Sequence, residues 1–228
     1  MPAYDEEGGL EAAVARACNG LARVADAFEV LVIDDGSTDR TGAIADELVR
    51  RDPHVRALHN DGNRNYGYSL ARGIAAARYD WILHDGTDLP LAPEDFGAFT
   101  RHFDAADVLV ARRIDRRAHS PWRKVTSVVN NGLLRLLFAP RTRDLNFVQF
   151  YRRSWAQGVR LRSTSPAFVT PELILRAERT GMRVVEVPAE FRRRMHGQAH
   201  FGKPKDILWT LRDMLGLRVH TWLRGWRS

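Results

Sequence analysis

The 228-residue sequence predicts an α/β fold, with a mainly parallel, mixed sheet flanked by helices. Three observations predict it. Short apolar runs suited to buried strands alternate with stretches whose apolar residues recur at helical spacing. Two of the runs end in carboxylate-rich turns, and the carboxyl ends of strands are where open α/β sheets bind ligands. No internal repeat, low-complexity tract or long linker divides the chain, so residues 1–228 read as one domain.

The elements follow in order. Leu10, Val14, Ala17, Leu21 and Val24 mark a first helix, and Glu29-Val30-Leu31-Val32-Ile33 reads as a buried strand. Thr38-Asp39 suits the cap of a helix carrying Ile44 and Leu48. Val55–Leu58 is a strand, 67–78 a helix, Trp81–His84 a strand, 93–103 a helix and Asp107–Ala111 a strand. The second half continues with an amphipathic helix over 121–138, a strand over 145–151, a helix over 169–180 and a strand over 182–191. A final helix covers 204–224. At the front, Met1–Glu7 reads like a loop leaving a strand that the sequence does not contain. The first strand is therefore expected to be missing or truncated, and a late start or a truncation is favoured over a fold that dispenses with it.

Charge is unevenly distributed. Residues 1–100 hold 9 basic and 18 acidic side chains, net −9, whereas residues 101–228 hold 26 and 10, net +16. An acidic half of that size would repel a long nucleic-acid backbone, and no nucleic-acid-reading motif is recognisable, so nucleic acid is not expected as a partner. The lone Cys18 excludes an intramolecular disulfide and a Cys-based metal site. Asp5, Glu6 and Glu7 stand where a signal peptide would be basic and then apolar, and no apolar run is long enough to cross a bilayer. The expectation is a soluble, cytoplasmic chain that could sit peripherally on the inner face of a membrane.

Three constellations carry chemistry. Asp34 and Asp35, closing the strand of LVIDDGSTD, suit hydrogen bonds to a nucleobase or ribose, and Gly36 permits close backbone approach; helix capping by Ser37 or Thr38 beside solvated aspartates is the plainer alternative. In His84-Asp85-Gly86-Thr87-Asp88, carboxylates on a tight turn suit a hard divalent cation that bridges to phosphates, against the alternative of a metal-free Asp-Gly turn. His84 itself reads as a strand side chain. The third constellation is basic, with Arg112, Arg113, Arg116, Arg117, Arg123, Lys124 and the later Arg192-Arg193-Arg194; Arg offers two-point contacts to phosphate oxygens.

With MPAYDEEGGL, LVIDDGSTD, NRNYGYSLARG and the turn at 85–88 in that order, the chain resembles family 2 glycosyltransferases of the GT-A fold. Within them it resembles the branch of polyprenyl- and dolichol-phosphate mannose synthases. ADVLVARRI, PWRKVTSVVNNGLLRLLF, DLNFVQFYRRS, PELILRAERTGMRVVEVPAEF and RRRMHGQAHFG extend the likeness across nearly the whole chain. The resemblance implies a nucleotide-sugar and metal half (1–100), an acceptor half (101–203) and a terminal amphipathic helix (204–228). It implies that Pro2, Tyr4 and Glu6 form the first nucleotide-contact loop, with Asp34 or Asp35 recognising the base. Asp88 and Asp85 match the turn that holds Mg2+ or Mn2+ against the donor diphosphate. Arg113, Arg123, Ser127 and Arg194 match positions that contact the phosphates of acceptor or donor.

Two departures stand out. The family's Asp-x-Asp followed by Gln is replaced by Asp85-Gly86-Thr87-Asp88-Leu89-Pro90, one residue longer between carboxylates and without the Gln. Gly197-Gln198-Ala199-His200 stands where Gly-x-Ser-Lys is common, with Lys203 and Lys205 as substitutes for the missing cation. The expected function is inverting, metal-dependent transfer of a hexose from a GDP- or UDP-sugar to a polyprenyl phosphate. The alternatives are transfer to a soluble hydroxyl acceptor, or a non-catalytic relative. The last helix, with Leu208, Leu211, Leu215, Val219, Trp222 and Trp226 on one stripe, suits equally a lipid surface and packing against protein.

Overall fold

The computed structural model describes residues 1–114, 121–190 and 204–226, with the side chains of 121–127 and 204 excepted. Strands and helices alternate as expected. The first sheet is parallel, in the order β1 (Pro2–Ala3), β2 (Val30–Asp34), β3 (Val55–His59). α1 (Leu10–Leu21), α2 (Thr41–Arg51) and α3 (Tyr66–Ala76) connect and cover it. Val30 and Val32 pack with Leu10 and Val14 of α1 and Ala45 and Leu48 of α2. Ile33, one residue out of phase with Val32, turns to the opposite face. There it meets Gly73 of α3, where a Cβ would stand 2.8 Å from Cδ1 of Ile33. A run of apolar residues thus becomes a strand buried on both sides.

The second sheet is mixed, in the order β4 (Trp81–His84), β6 (Gln149–Arg152), β5 (Val108–Arg113), β7 (Val184–Ala189). β6 runs antiparallel to both neighbours, and β5 and β7 are parallel. β5 is again two-faced. Val108 and Val110 pack with Tyr151 and Leu173, while Leu109 and Ala111 pack with Phe96, Phe99 and Phe150. α5 (Pro121–Phe138), the short α6 (Arg153–Ala156), α7 (Val169–Arg179) and α8 (Pro204–Arg224) complete the second half.

Three expectations are adjusted. The helix expected over 93–103 is a 3-10 turn, Pro93–Asp95, followed by α4 over Phe96–Thr100 only. The strand expected over 145–151 is β6 at Gln149–Arg152; Val148 still accepts from Ala111 N (2.9 Å), but Leu145 and Phe147 are buried without joining a ladder, because apolar burial and strand pairing are separate demands. The first strand, expected to be missing or truncated, is two residues long and covers just the carboxyl end of β2 through Pro2↔Ile33 and Ala3↔Asp34. Below that, β2 and the edge of β4 face each other across a cavity of about 340 Å3, walled by Leu31, Ile74, Trp81, Leu83 and Phe103. Too short to bridge β2 and β4, β1 leaves two sheets where one continuous sheet was expected.

Candidate active site

The parallel register Ala3↔Asp34 brings the loop after β1 out beside the loop after β2. The two loops are latched together. Asp5 N donates to Ser37 Oγ (3.1 Å), Thr38 N to Asp5 Oδ1 (2.8 Å) and Glu6 N to Thr41 Oγ1 (2.8 Å). The carbonyl of Glu6 accepts from Gly9 N and Leu10 N, both at 3.0 Å, which starts α1. Pro2, Tyr4 and Glu6 therefore share one sheet edge with Asp34 and Asp35, and Tyr4 is partly exposed there. Asp39, expected as a cap with Thr38, accepts from Thr41 N (2.9 Å) at the first turn of α2.

The two aspartates are held differently. Both oxygens of Asp34 are used: Oδ1 accepts from Ser37 N (3.0 Å), and Oδ2 lies 3.0 Å from Nδ1 of His59. Burial pushes this carboxyl up, but the bonds from Ser37 and His59 outweigh it and hold it below its ordinary range. Among the described residues, Asp35 takes its donors on one oxygen. Oδ1 accepts from Asn60 Nδ2 (2.6 Å), Ser69 Oγ (2.8 Å) and Arg64 N (3.0 Å). Asn60 is itself held by Arg72, whose guanidinium donates to Asn60 Oδ1 at 2.6 Å. This arrangement fixes the carboxylate plane of Asp35 and leaves Oδ2 as the acceptor for a ligand's N–H. At Gly36, φ is +69° and a Cβ would meet the Gly62 backbone at 2.4 Å, so only glycine fits.

His59, Asn60, Ser69 and Arg72 were not singled out from the sequence. A signal existed for the first two, since they lie where β3 ends in register with Asp34. Ser69 and Arg72 belong to the NRNYGYSLARG stretch but carried no chemistry by themselves.

At the end of β4, His84 is buried and its Nε2 lies 2.5 Å from the Tyr66 hydroxyl, which agrees with a strand side chain. Burial holds its pKa down to about 3. Asp85 is buried as well. Its Oδ1 accepts from Gly86 N (2.8 Å), while Oδ2 has no partner among the described residues. Burial, then the neighbouring charge of Asp88, pushes its carboxyl well above the ordinary range. An orphaned carboxylate oxygen beside a second carboxylate is an unfavourable arrangement in the absence of a cation. The pair could therefore hold a divalent ion, which would supply positive charge beside phosphate oxygens. Among the described residues no group of three or more His, Cys, Asp or Glu could hold an ion unaided.

In the second half, Arg113 closes β5 and forms a two-point pair with Asp144. Its Nε donates to Oδ2 (2.8 Å) and Nη2 to Oδ1 (2.7 Å), with the guanidinium 5.2 Å from the ring centroid of Phe147. Arg123 and Ser127 lie on the first turns of α5, with side chains outside the described residues. Arg116, Arg117, Arg194, the Gly197–His200 segment and Lys203 also lie outside them, whereas Lys205 is exposed on the first turn of α8. Glu172 is fully buried, accepting from Arg162 N, Ser163 N (2.8 Å) and Arg176 Nε (2.8 Å), so it positions a loop and an arginine.

Comparison with known proteins shows the family. The chain is 31% identical over 235 residues to glycosyltransferase AglD of Haloferax volcanii, covering 99% of this chain and 36% of that one. It is 30% identical to polyprenol monophosphomannose synthase of Mycolicibacterium smegmatis over 86% of this chain and 77% of the relative. It is 26% identical to undecaprenyl-phosphate 4-deoxy-4-formamido-L-arabinose transferase of Edwardsiella ictaluri, over 91% and 63%. The chain thus spans about a third of the first relative and less than two thirds of the last. Among solved structures, glucosyl-3-phosphoglycerate synthase of Mycobacterium tuberculosis shares the fold, with a TM-score of 0.67 and 16% identity over 94% of this chain and 77% of that one. Residues 1–164 match the family described as glycosyl transferase family 2, with the GT-A fold expected from the resemblance, and the chain belongs to that family.

Proposed function

We propose that the chain moves a hexose from a nucleotide-diphosphate sugar, GDP- or UDP-linked, to a polyprenyl phosphate, with inversion at the anomeric carbon. The observation that carries this reading is the gathering of Pro2, Tyr4, Glu6 and Asp35 at one sheet edge, with α3 linking that edge to the Asp85–Asp88 turn. The similarity to polyprenol monophosphomannose synthase supports the acceptor class.

The residues divide the work. Asp35 accepts from the base, on an oxygen whose direction Asn60, Ser69 and the Arg64 amide set. Asp34, tied to Ser37 and His59, holds the turn that supports it. Asp88 and Asp85 would hold Mg2+ or Mn2+, which supplies positive charge against the departing diphosphate. Arg123, Ser127 and Arg194 neutralise and orient the acceptor phosphate beside the donor's phosphates, with Arg113, whose Nε and Nη2 are engaged by Asp144, contributing its charge and its Nη1. A phosphate monoester is already anionic, its second pKa being about 6, so the attacking oxygen needs no general base. The requirement is to hold two anions together, and the +16 half meets it where the −9 half could not. No helix among the described residues is long and apolar enough to cross a membrane.

Incubation of radiolabelled GDP-mannose and UDP-glucose with polyprenyl phosphate, and separately with water-soluble alcohols, tests the reading. Label in the lipid extract that disappears with Asp88→Asn supports it. Label only on the soluble alcohols overturns it.

A further inference from the structure

Residues 162–165, in the loop between α6 and α7, turn four successive backbone amides toward two carboxylates. Arg162 N and Ser163 N donate to Glu172 of α7, at 3.2 and 2.8 Å. Thr164 N and Ser165 N donate to Oδ2 of Asp213 on α8, at 2.7 and 2.8 Å. Such bonds to an ionised acceptor are among the stronger ones a loop can make. α8 adds two more: Trp209 Nε1 donates to Thr164 Oγ1 (2.9 Å), and the hydroxyls of Ser165 and Thr210 lie 2.7 Å apart. On its other side the loop meets α3. The Thr164 carbonyl accepts from Gly67 N (3.4 Å), and a Cβ on Gly67 would stand 2.5 Å from the Ser163 carbonyl oxygen and 2.8 Å from Thr164 Cα. Loop and helix are therefore in backbone contact that no side chain could enter.

The part of α3 that the loop touches is the part that aims Asp35. Ser69 Oγ donates to Asp35 directly, and Arg72, one turn further on, holds Asn60, which donates to the same oxygen. The entry to this helix does not hold itself firmly. Asn65, its N-cap, has φ of +70°, a conformation that residues with a Cβ rarely adopt, and its side chain reaches Tyr68 N only at 3.4 Å. The first turn therefore depends on packing from outside, and the backbone of 163–165 supplies it.

We infer that Asp213 is a positioning residue for the nucleotide site: from α8 it holds residues 163–165 against Gly67, and so fixes the turn of α3 from which Asp35 is aimed. The inference deepens the proposed function, resting on its placing of the nucleotide at Asp35 and on nothing it says of the acceptor. A carboxylate of the last helix, 49 residues along the chain from the loop it grips, thus sets the donor site of the first half.

Calorimetric titration of the full chain with UDP and with GDP, each with Mn2+, tests it together with amide hydrogen exchange. Asp213→Ala is expected to weaken binding of whichever nucleotide the wild type takes by about tenfold, and to speed exchange at residues 66–69. Asp213→Asn, which keeps an oxygen for both amides, should retain most of the affinity. Gly67→Ala disturbs the same contact from the side of α3, so the double variant should lose less than the two single losses combined. Trp209→Phe, a milder cut at the same loop, should give a smaller loss in the same direction, so the test stands even where Asp213→Ala does not fold. Leu217→Ala removes packing from the buried face of α8 without touching the loop, and should lower the melting temperature while leaving affinity unchanged. An Asp213→Ala protein that melts lower yet binds nucleotide like the wild type overturns the inference, as does faster exchange confined to 162–165. Asp35→Ala separates the two readings. If it leaves affinity unchanged, the proposed nucleotide site fails and the inference with it, whereas affinity lost in Asp35→Ala but kept in Asp213→Ala overturns the inference alone.

Discussion

Tyr66 and Ser69, three residues apart on α3, reach two different carboxylate-bearing strand ends. Ser69 Oγ donates to Asp35 at 2.8 Å, and the Tyr66 hydroxyl lies 2.5 Å from Nε2 of His84, the residue before Asp85. One helical turn therefore spans the two sheets at the point where the short β1 fails to join them. Tyr66→Phe leaves the buried His84 ring without a partner on either nitrogen among the described residues, where Nδ1 already has none. A loss of about 1–3 kcal/mol in urea unfolding is expected. Ser69→Ala should instead weaken nucleotide binding in calorimetry with little change in stability.

The Arg113–Asp144 pair is nearly closed to solvent, the two side chains being 15% and 2% exposed. Removing one member leaves the other charge buried. Asp144→Ala is expected to cost about 3–5 kcal/mol. Arg113→Lys should cost less in stability, but should still lower turnover because an ammonium cannot keep the two-point contact to Asp144 that fixes the cation's position. Equilibrium unfolding and initial rates separate the two effects.

Asp88 and Asp85 should differ in what they tolerate. Asp88→Asn is expected to lower metal-dependent turnover by about 100-fold and to abolish the thermal shift produced by Mn2+. Asp85→Asn removes a buried carboxyl whose ionisation burial and Asp88 both oppose. It should therefore raise the melting temperature without metal while also removing the shift with metal.

His59 stands between Asp34 (3.0 Å) and Asp46 (3.1 Å), and its hydrogen bond to Asp34 leads in holding the imidazole above its ordinary pKa. A raised folded pKa means stability that is complete below the unfolded value of 6.5 and lost as pH rises through the folded one. Asp34, held low, behaves oppositely: its contribution is present above 3.8 and lost as pH falls through its lowered value. Between about pH 6 and 8 the wild type should lose more melting temperature than His59→Gln does. Parallel pH profiles would contradict this.

Gly36 has φ of +69° with the Gly62 backbone 2.4 Å from where a Cβ would stand. Gly36→Ala is expected to cost at least about 1–3 kcal/mol, since both strain and a backbone clash oppose it. It should also weaken nucleotide binding by displacing Asp35. Chemical denaturation and a nucleotide titration check the two parts.

Much of the fold was legible because its signals are local. Val30–Ile33 and Asp107–Ala111 are apolar enough to be buried on both faces, and the bounds of 121–138 and 204–224 match α5 and α8. Residues 145–148 misled because a buried apolar run need not pair with another strand.

The sequence by itself determined the order of strands and helices and the placing of Asp34, Asp35, Asp85 and Asp88 at strand ends, because periodicity and turn chemistry act over a few neighbouring residues. Only the tertiary structure decided that Asn60 and Ser69 aim Asp35, that Asp144 holds Arg113, and that α8 turns Leu208, Leu215, Val219 and Trp222 outward. Those outcomes depend on which side chains meet across long separations in the chain. A helical repeat shows that a helix has two faces, but what packs against it selects the one that is buried.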